Sequence, residues 1–162
     1  MAISLLLAAC KRGGGGAVTP TPPPLEQARL TGQFLVTLKV TSQKGLLRPI
    51  SGGSAVWIFK PKCNSGVCDV TWSASPNGSK GTLKNTGIYY SGKFATPANI
   101  RSCTGSPNNE SVVVRIHVTS ATTVNGIVTA AKISGTMTEK NSSPGCKPSM
   151  ASWILSGFSQ NS

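Results

Sequence analysis

The sequence predicts an all-β domain built as an antiparallel up-and-down β-barrel of about eight strands, with a β-sandwich of two sheets as the alternative. Three observations point there. Apolar residues recur with period two in short runs, the signature of strands with one face turned to a core. The 18 glycines and 11 prolines of the 162-residue chain stand between those runs as punctuation, which argues for turns rather than disorder. No amphipathic helix or long crossover intervenes, so parallel pairing is excluded. Sequential antiparallel strands must still hide two edges, and closing the sheet on itself does so.

Each element follows from its own residues. Phe34, Val36, Leu38 and Val40 alternate with Thr37, Lys39 and Thr41 in the first strand. After a loop over 42–53, Ala55-Val56-Trp57-Ile58-Phe59 is apolar on both faces. A short excursion over 63–68 leads into Val70, Trp72 and Ala74, which alternate with Asp69, Thr71 and Ser73. Pro76-Asn77-Gly78 is a hairpin turn signal, Thr82-Leu83-Lys84 a short strand and Asn85-Thr86-Gly87 the next turn. Ile88, Tyr90, Gly92 and Phe94 carry the following strand. Beyond a Ser-, Pro- and Asn-rich loop over 95–110, Val112, Val114, Ile116 and Val118 form the clearest strand, with Arg115 and His117 on its other side. Thr123-Val124-Asn125-Gly126 turns the chain into a strand over 127–138, where Gly135 suits a bend. Residues 153–158 supply the last strand.

The amino-terminal stretch has a different character. Leu7-Ala8-Ala9-Cys10 closes the apolar run Ile3-Ser4-Leu5-Leu6-Leu7 and resembles a bacterial lipobox. The resemblance implies a lipoprotein signal peptide over 1–9, truncated upstream because its apolar run is short and no Lys or Arg precedes it. It further implies that Cys10 starts the mature chain with a diacylglyceryl thioether on its sulfur. Two acyl chains hold where one comes off, at about 0.8 kcal/mol per buried CH₂. Residues 10–30 then read as a tether: Lys11-Arg12 at headgroup level, a flexible Gly13–Gly16 run, and a stiff Thr19-Pro20-Thr21-Pro22-Pro23-Pro24 spacer. One or two helical turns are expected over Leu25–Leu30, with Pro24 well placed just before them. The barrel domain occupies 31–160.

With Cys10 lipidated, Cys63, Cys68, Cys103 and Cys146 remain, and an even count in an exported domain reads as two disulfides. Of the three pairings, Cys63–Cys68 with Cys103–Cys146 is favoured, the first closing a tight loop with Gly66 free for a positive φ. A metal site is the rival reading. It has no Cys-x₂-Cys spacing and only one histidine to draw on, so no metal or other cofactor is expected.

Sixteen Lys and Arg against four acidic residues give +12, a charge that bears on partners and not on fold. For an exported chain the fitting polyanions are phospholipid headgroups and wall polymers. Nucleic acid ranks below them.

Thr31-Gly32-Gln33-Phe34 resembles the Gly-x-Trp opening of lipocalin- and avidin-type barrels, with Phe in place of Trp. Trp57, Cys63, Cys68-Asp69-Val70-Thr71-Trp72, Gly87-Ile88-Tyr89-Tyr90-Ser91-Gly92, Val118-Thr119-Ser120-Ala121, Gly135-Thr136 and Cys146 together are similar to an exported module of actinobacterial lipoproteins. Similar modules stand outside the membrane in some receptor-like kinases. The likeness spans roughly 31–159, and its turn glycines, cysteines and core aromatics imply a lipocalin-like fold without supplying a catalytic or ligand residue.

Catalytic constellations are weak. A Ser-His-Asp site would need His117 as base with Asp69 behind it, and no Gly-x-Ser-x-Gly elbow accompanies them. Paired carboxylates would have to come from Glu26, Asp69, Glu110 and Glu139, which are scattered. An enzyme is not expected. Trp57, Trp72, Tyr89, Tyr90, His117 and Trp153 are the candidate pocket residues of a barrel that holds one small ligand in its mouth. Trp72, Tyr90 and Trp153 read first as core, whereas Trp57 and Tyr89 stay open between the two roles. Lys60, Lys62, Lys80, Lys84 and Lys93 lie near strand ends and read as solvated surface before they read as a polyanion patch. The Asn-x-Ser triplets at Asn77, Asn109 and Asn141 fall in Asn/Ser-rich turns and carry weight only in a eukaryotic secretory pathway.

The expectation from sequence is a monomeric, non-enzymatic binding module anchored by lipid at the outer face of a bacterial membrane. It would take a small apolar ligand, a wall component or a partner protein. A basic module for anionic lipid, wall polymer or nucleic acid is the alternative.

Overall fold

The structure, a computed structural model, describes residues 21–76, 78–95, 110–142 and 147–160, without the side chains of Phe94, Ala95 and Glu110. Eight antiparallel strands follow one another around a single sheet: β1 (Gly32–Lys44), β2 (Gly53–Pro61), β3 (Val70–Ser75), β4 (Lys80–Thr86), β5 (Tyr89–Ala95), β6 (Glu110–Val124), β7 (Ile127–Asn141) and β8 (Ser149–Ser159). Each pairs with its neighbours in sequence, and β8 pairs back onto β1 from Phe34↔Ser159 to Lys44↔Met150, so the sheet closes in a ring. The expected strand number and antiparallel order are observed. The two-sheet alternative is excluded by the unbroken ladder.

The alternation read from the sequence sets the inner and outer faces. Phe34 and Val36 on β1, Trp57 and Phe59 on β2, and Val70, Trp72 and Ala74 on β3 are buried inside the ring. Val112, Val114, Ile116 and Val118 do the same on β6. Lys39, Lys60, Thr71, Ser73 and Arg115 occupy the alternate, exposed positions. A side chain the size of Leu or Phe contributes roughly 1.5–3 kcal/mol when fully buried, so this one core is the main source of stability.

One pole of the ring is sealed by the chain itself. Leu25–Gln27 forms a single 3-10 turn. Arg29 then makes an isolated parallel bridge with Thr129: its N–H donates to the Val128 carbonyl (3.0 Å) and its carbonyl accepts from Ala130 (3.0 Å). Ala28 and Leu30, on either side of it, are buried in the main core. Residues 25–30 thus pack on the ring's end, with Leu25 half-buried against the core. Gly32, with φ +88°, redirects the chain from that plug into β1.

The connections at the sealed pole are short. Asn125 and Gly126, with φ of +50° and +77°, form the two-residue turn between β6 and β7. Gly87 and Ile88 form the one between β4 and β5, so Ile88 is a turn residue and not the start of a strand. Cys63 and Cys68 are joined by a disulfide in the β2–β3 connection, their Cα atoms 6.2 Å apart. The Arg29 guanidinium donates to the carbonyls of Asn64 (3.1 Å) and Cys63, tying this loop to the plug. Cys10, the segments over 1–20, Cys103 and Cys146 lie outside the described residues, and with them the proposed lipidation and the second disulfide.

Candidate ligand-binding cavity

The opposite pole is built differently. There β1 ends, β2 begins, β7 ends and β8 begins, and the core residues thin out into a cavity of about 190 Å³. Its walls include Trp57, Trp72 and Trp153, with Leu38, Met137 and Glu139. The indoles are drawn from three strands by the same inward alternation, and all are nearly inaccessible: Trp57 is 2 %, Trp72 3 % and Trp153 7 % exposed. Trp57 and Trp72 are offset neighbours, ring centroids 4.5 Å apart and planes inclined by 32°. Behind them Phe59 and Phe34 continue the aromatic column toward the sealed pole, the latter pair edge to face at 5.4 Å and 82°. Trp153 belongs to a smaller cluster with Ala151, against which Leu46 and Ile50 of the β1–β2 connection pack.

The interior is graded in polarity. Toward the sealed pole it is lined by Val, Leu, Ile and Phe. The buried polar residues Ser79, Glu139, Asn141 and Ser149 all lie at the open pole. Ile133, Gly135, Met137, Glu139 and Asn141 share the inner face of β7, which carries the Glu139 carboxylate into the cavity wall with 3 % exposure. Sequence reading placed Glu139 among scattered acids because it ended this strand at Thr138. One more step of the alternation beyond Ile133 and Met137 reaches Glu139 on the inner face.

Three of the six candidate pocket residues thus meet in the cavity: Trp57, Trp72 and Trp153. Tyr90 is buried in the main core, on the side of Leu30 and Arg29. Burial pushes its phenol above the ordinary value of 10.0, while the Leu30 backbone, the Asn85 side chain and the Arg29 charge pull the other way. Tyr89 and His117 do not join the pocket. They pair directly across β5 and β6 on the outer face, where Tyr89 is 54 % exposed and its ring lies 5.8 Å from the imidazole. The reason is register: with Tyr90 and Ile116 facing in, their neighbours must face out. Asp69, the residue proposed behind His117, accepts the Asn85 N–H at 2.9 Å at the sealed pole.

Lys60, Lys62, Lys80, Lys84 and Lys93 are all exposed. Lys60 and Lys80 flank a shallow outer groove across β2, β3 and β4, with Thr71 and Ser73 between them. Among the described residues no group of three His, Cys, Asp or Glu side chains could hold a metal ion. None of the described helices is long and apolar enough to cross a membrane.

No protein-family model matches the chain, and no curated protein is significantly similar to it.

Proposed function

We propose that the protein is a non-enzymatic binding module of the lipocalin-like barrel type, which receives a small, largely apolar ligand at its open pole. The observation that carries this reading is the tryptophan-walled cavity at one pole of a ring whose other pole is plugged by residues 25–30. One pole is occupied by the chain's own Ala28 and Leu30, whereas among the described residues three indoles border a cavity at the other, which supports reading that pole as the receptor. The lipobox-like Leu7-Ala8-Ala9-Cys10 and the Gly/Pro-rich run after it support anchoring by lipid on the outer face of a bacterial membrane. The Cys63–Cys68 disulfide supports an oxidising compartment.

Titration of the purified full chain with extracted envelope lipids and small apolar probes, followed by tryptophan fluorescence, tests the cavity. Saturable binding that resists salt and weakens in Trp153→Ala is expected, and binding unchanged by that substitution overturns the reading. Mass spectrometry of the mature amino terminus tests the anchor, an unmodified Cys10 being the adverse result.

A second reading has one observation in its favour. Of the described acids whose side chains are seen, Glu26 is exposed on the plug, Asp69 is half-buried and engaged with Asn85, and Glu139 is buried, so the described outer face of the strands is overwhelmingly cationic. Such a surface suits anionic lipid or wall polymer, with the Lys60–Lys80 groove as the first contact. Affinity for such a polymer would fall steeply as salt rises.

A further inference from the structure

We infer that the outer wall of the ring is a track for one flexible, linear polymer of phosphate groups without bases, laid across the strands from Lys84 to Lys39. The inference rests on the second reading, that of the basic outer surface, and supplies the shape and chemistry of its partner.

The excess of positive charge has no answer within the chain. Its acids are Glu26, Asp69, Glu110 and Glu139, against sixteen Lys and Arg. The residues outside the described ones include no acid, so they bring no counter-charge to the wall. The formal charge stays at +12 even when every acid is counted against a cation. What balances it comes from outside the chain.

Register sets the cations in a line. Ser91 pairs with Lys84 on one side and with Arg115 on the other. Arg115 pairs with Thr136, Thr136 with Ile154, and Ile154 with Lys39. One row thus crosses the outer face from β4 to β1 by way of the β8–β1 closure, with Lys84, Arg115 and Lys39 exposed along it. Lys84 and Arg115 stand two strand spacings apart, on the order of 10 Å. Exposed Lys93, two residues beyond Ser91 on β5, reinforces that end. The hydroxyls of Ser91 and Thr136 fill the intervals, and phosphate oxygens are commonly held by such mixtures of Lys, Arg, Ser and Thr.

Shape decides among polyanions. Lys84 on β4 and Lys39 on β1 are three strands apart by the shorter way round a ring of eight, so they face directions more than a right angle apart. A flat bilayer meets one of them at a time, whereas a flexible chain follows the curve to both. Single-stranded nucleic acid is flexible too, but its bases stack on aromatic platforms in series. Among the described residues the exposed Phe, Tyr and Trp side chains are Tyr89 and Phe158, far apart on β5 and β8, and the three tryptophans are buried.

The test uses the full chain carrying Cys10→Ser, which keeps an acyl anchor out of the comparison. Long-chain inorganic polyphosphate is titrated by calorimetry over a range of salt, against polyglutamate, oligothymidylate and phosphatidylglycerol vesicles at equal charge. Polyphosphate is expected to bind most tightly, with a log–log salt slope of about −2 to −3 for three or four contacts. Lys84→Gln combined with Arg115→Gln should weaken it about tenfold. Lys39→Gln should weaken polyphosphate but not tripolyphosphate, which is too short to reach from Arg115 to Lys39. Urea unfolding establishes that each variant is folded; the comparison of the four probes stands even if a variant is not. Tighter binding of vesicles, oligothymidylate or polyglutamate overturns the inference and leaves the basic surface as a docking face for that partner. Polyphosphate affinity unchanged by either set of substitutions overturns it as well. Binding of none of the four overturns the inference together with the reading beneath it.

Discussion

Gly135 stands against the backbone of Arg115: a Cβ added to Gly135 would lie 2.0 Å from the Arg115 carbonyl oxygen. The close approach sits where β7 crosses between β6 and β8, with Gly135 opposite Ile116 on one side and Leu155 on the other. Backbone cannot swing aside as a flexible side-chain tip can. Gly135→Ala should therefore lower stability by about 1–3 kcal/mol through forced displacement of β6. Gly53→Ala, where an added Cβ meets nothing within 4 Å, should change little and serves as the control. Urea unfolding checks both, and equal midpoints for the two variants would refute the steric account.

Arg29 joins the plug to the disulfide loop through the Cys63 and Asn64 carbonyls. Arg29→Met keeps much of the apolar stem and removes the donors, so a loss of about 1–2 kcal/mol is expected. Hydrogen exchange at the Ala130 amide, which donates to the Arg29 carbonyl, should accelerate as the plug loosens. Unchanged protection there would mean that the backbone bridge holds without the side chain.

Removing the Cys63–Cys68 bridge by paired Ser substitutions should cost roughly 2 kcal/mol, the chain-entropy value for so small a loop. Arg29 holds the same loop, so Arg29→Met and the paired substitutions should be non-additive when combined. Strict additivity in a double-mutant cycle would show the two restraints to be independent.

Tyr90 makes stability depend on alkaline pH. Its folded-state phenol ionises above the ordinary value of 10.0 because burial disfavours the phenolate. The unfolded chain releases that proton first, so the folded state binds more protons as pH rises past about 10 and stability falls. Below the unfolded value the group contributes no pH dependence. Tyr90→Phe should flatten the decline above pH 10, measured as urea midpoints of variant and unaltered chain across that range. Parallel profiles would remove Tyr90 as the cause.

The inward residues of β1, β2, β3 and β6 were legible because period-two alternation is a local property of a strand with one buried face. What depended on distant partners was not. The plug at Leu25–Leu30 reads as the end of a linker until Arg29 meets Thr129, a hundred positions away. Closure of β1 on β8 was suggested only by the need to hide edges, since no local pattern specifies a partner strand. Adjacent Tyr89 and Tyr90 look equivalent in sequence; the tight Gly87–Ile88 turn fixes the register that sends one out and the other in. Of the cavity, the three tryptophans were named from sequence. Glu139 was missed where the alternation was cut short, and Tyr89 and His117 were included where the facing side was left undecided.

Because Gln160 donates to the Gln33 carbonyl at 2.9 Å, the described chain both enters and leaves at the plugged base. An anchor ahead of residue 21, as proposed, would join the molecule at that base, on the side opposite the cavity.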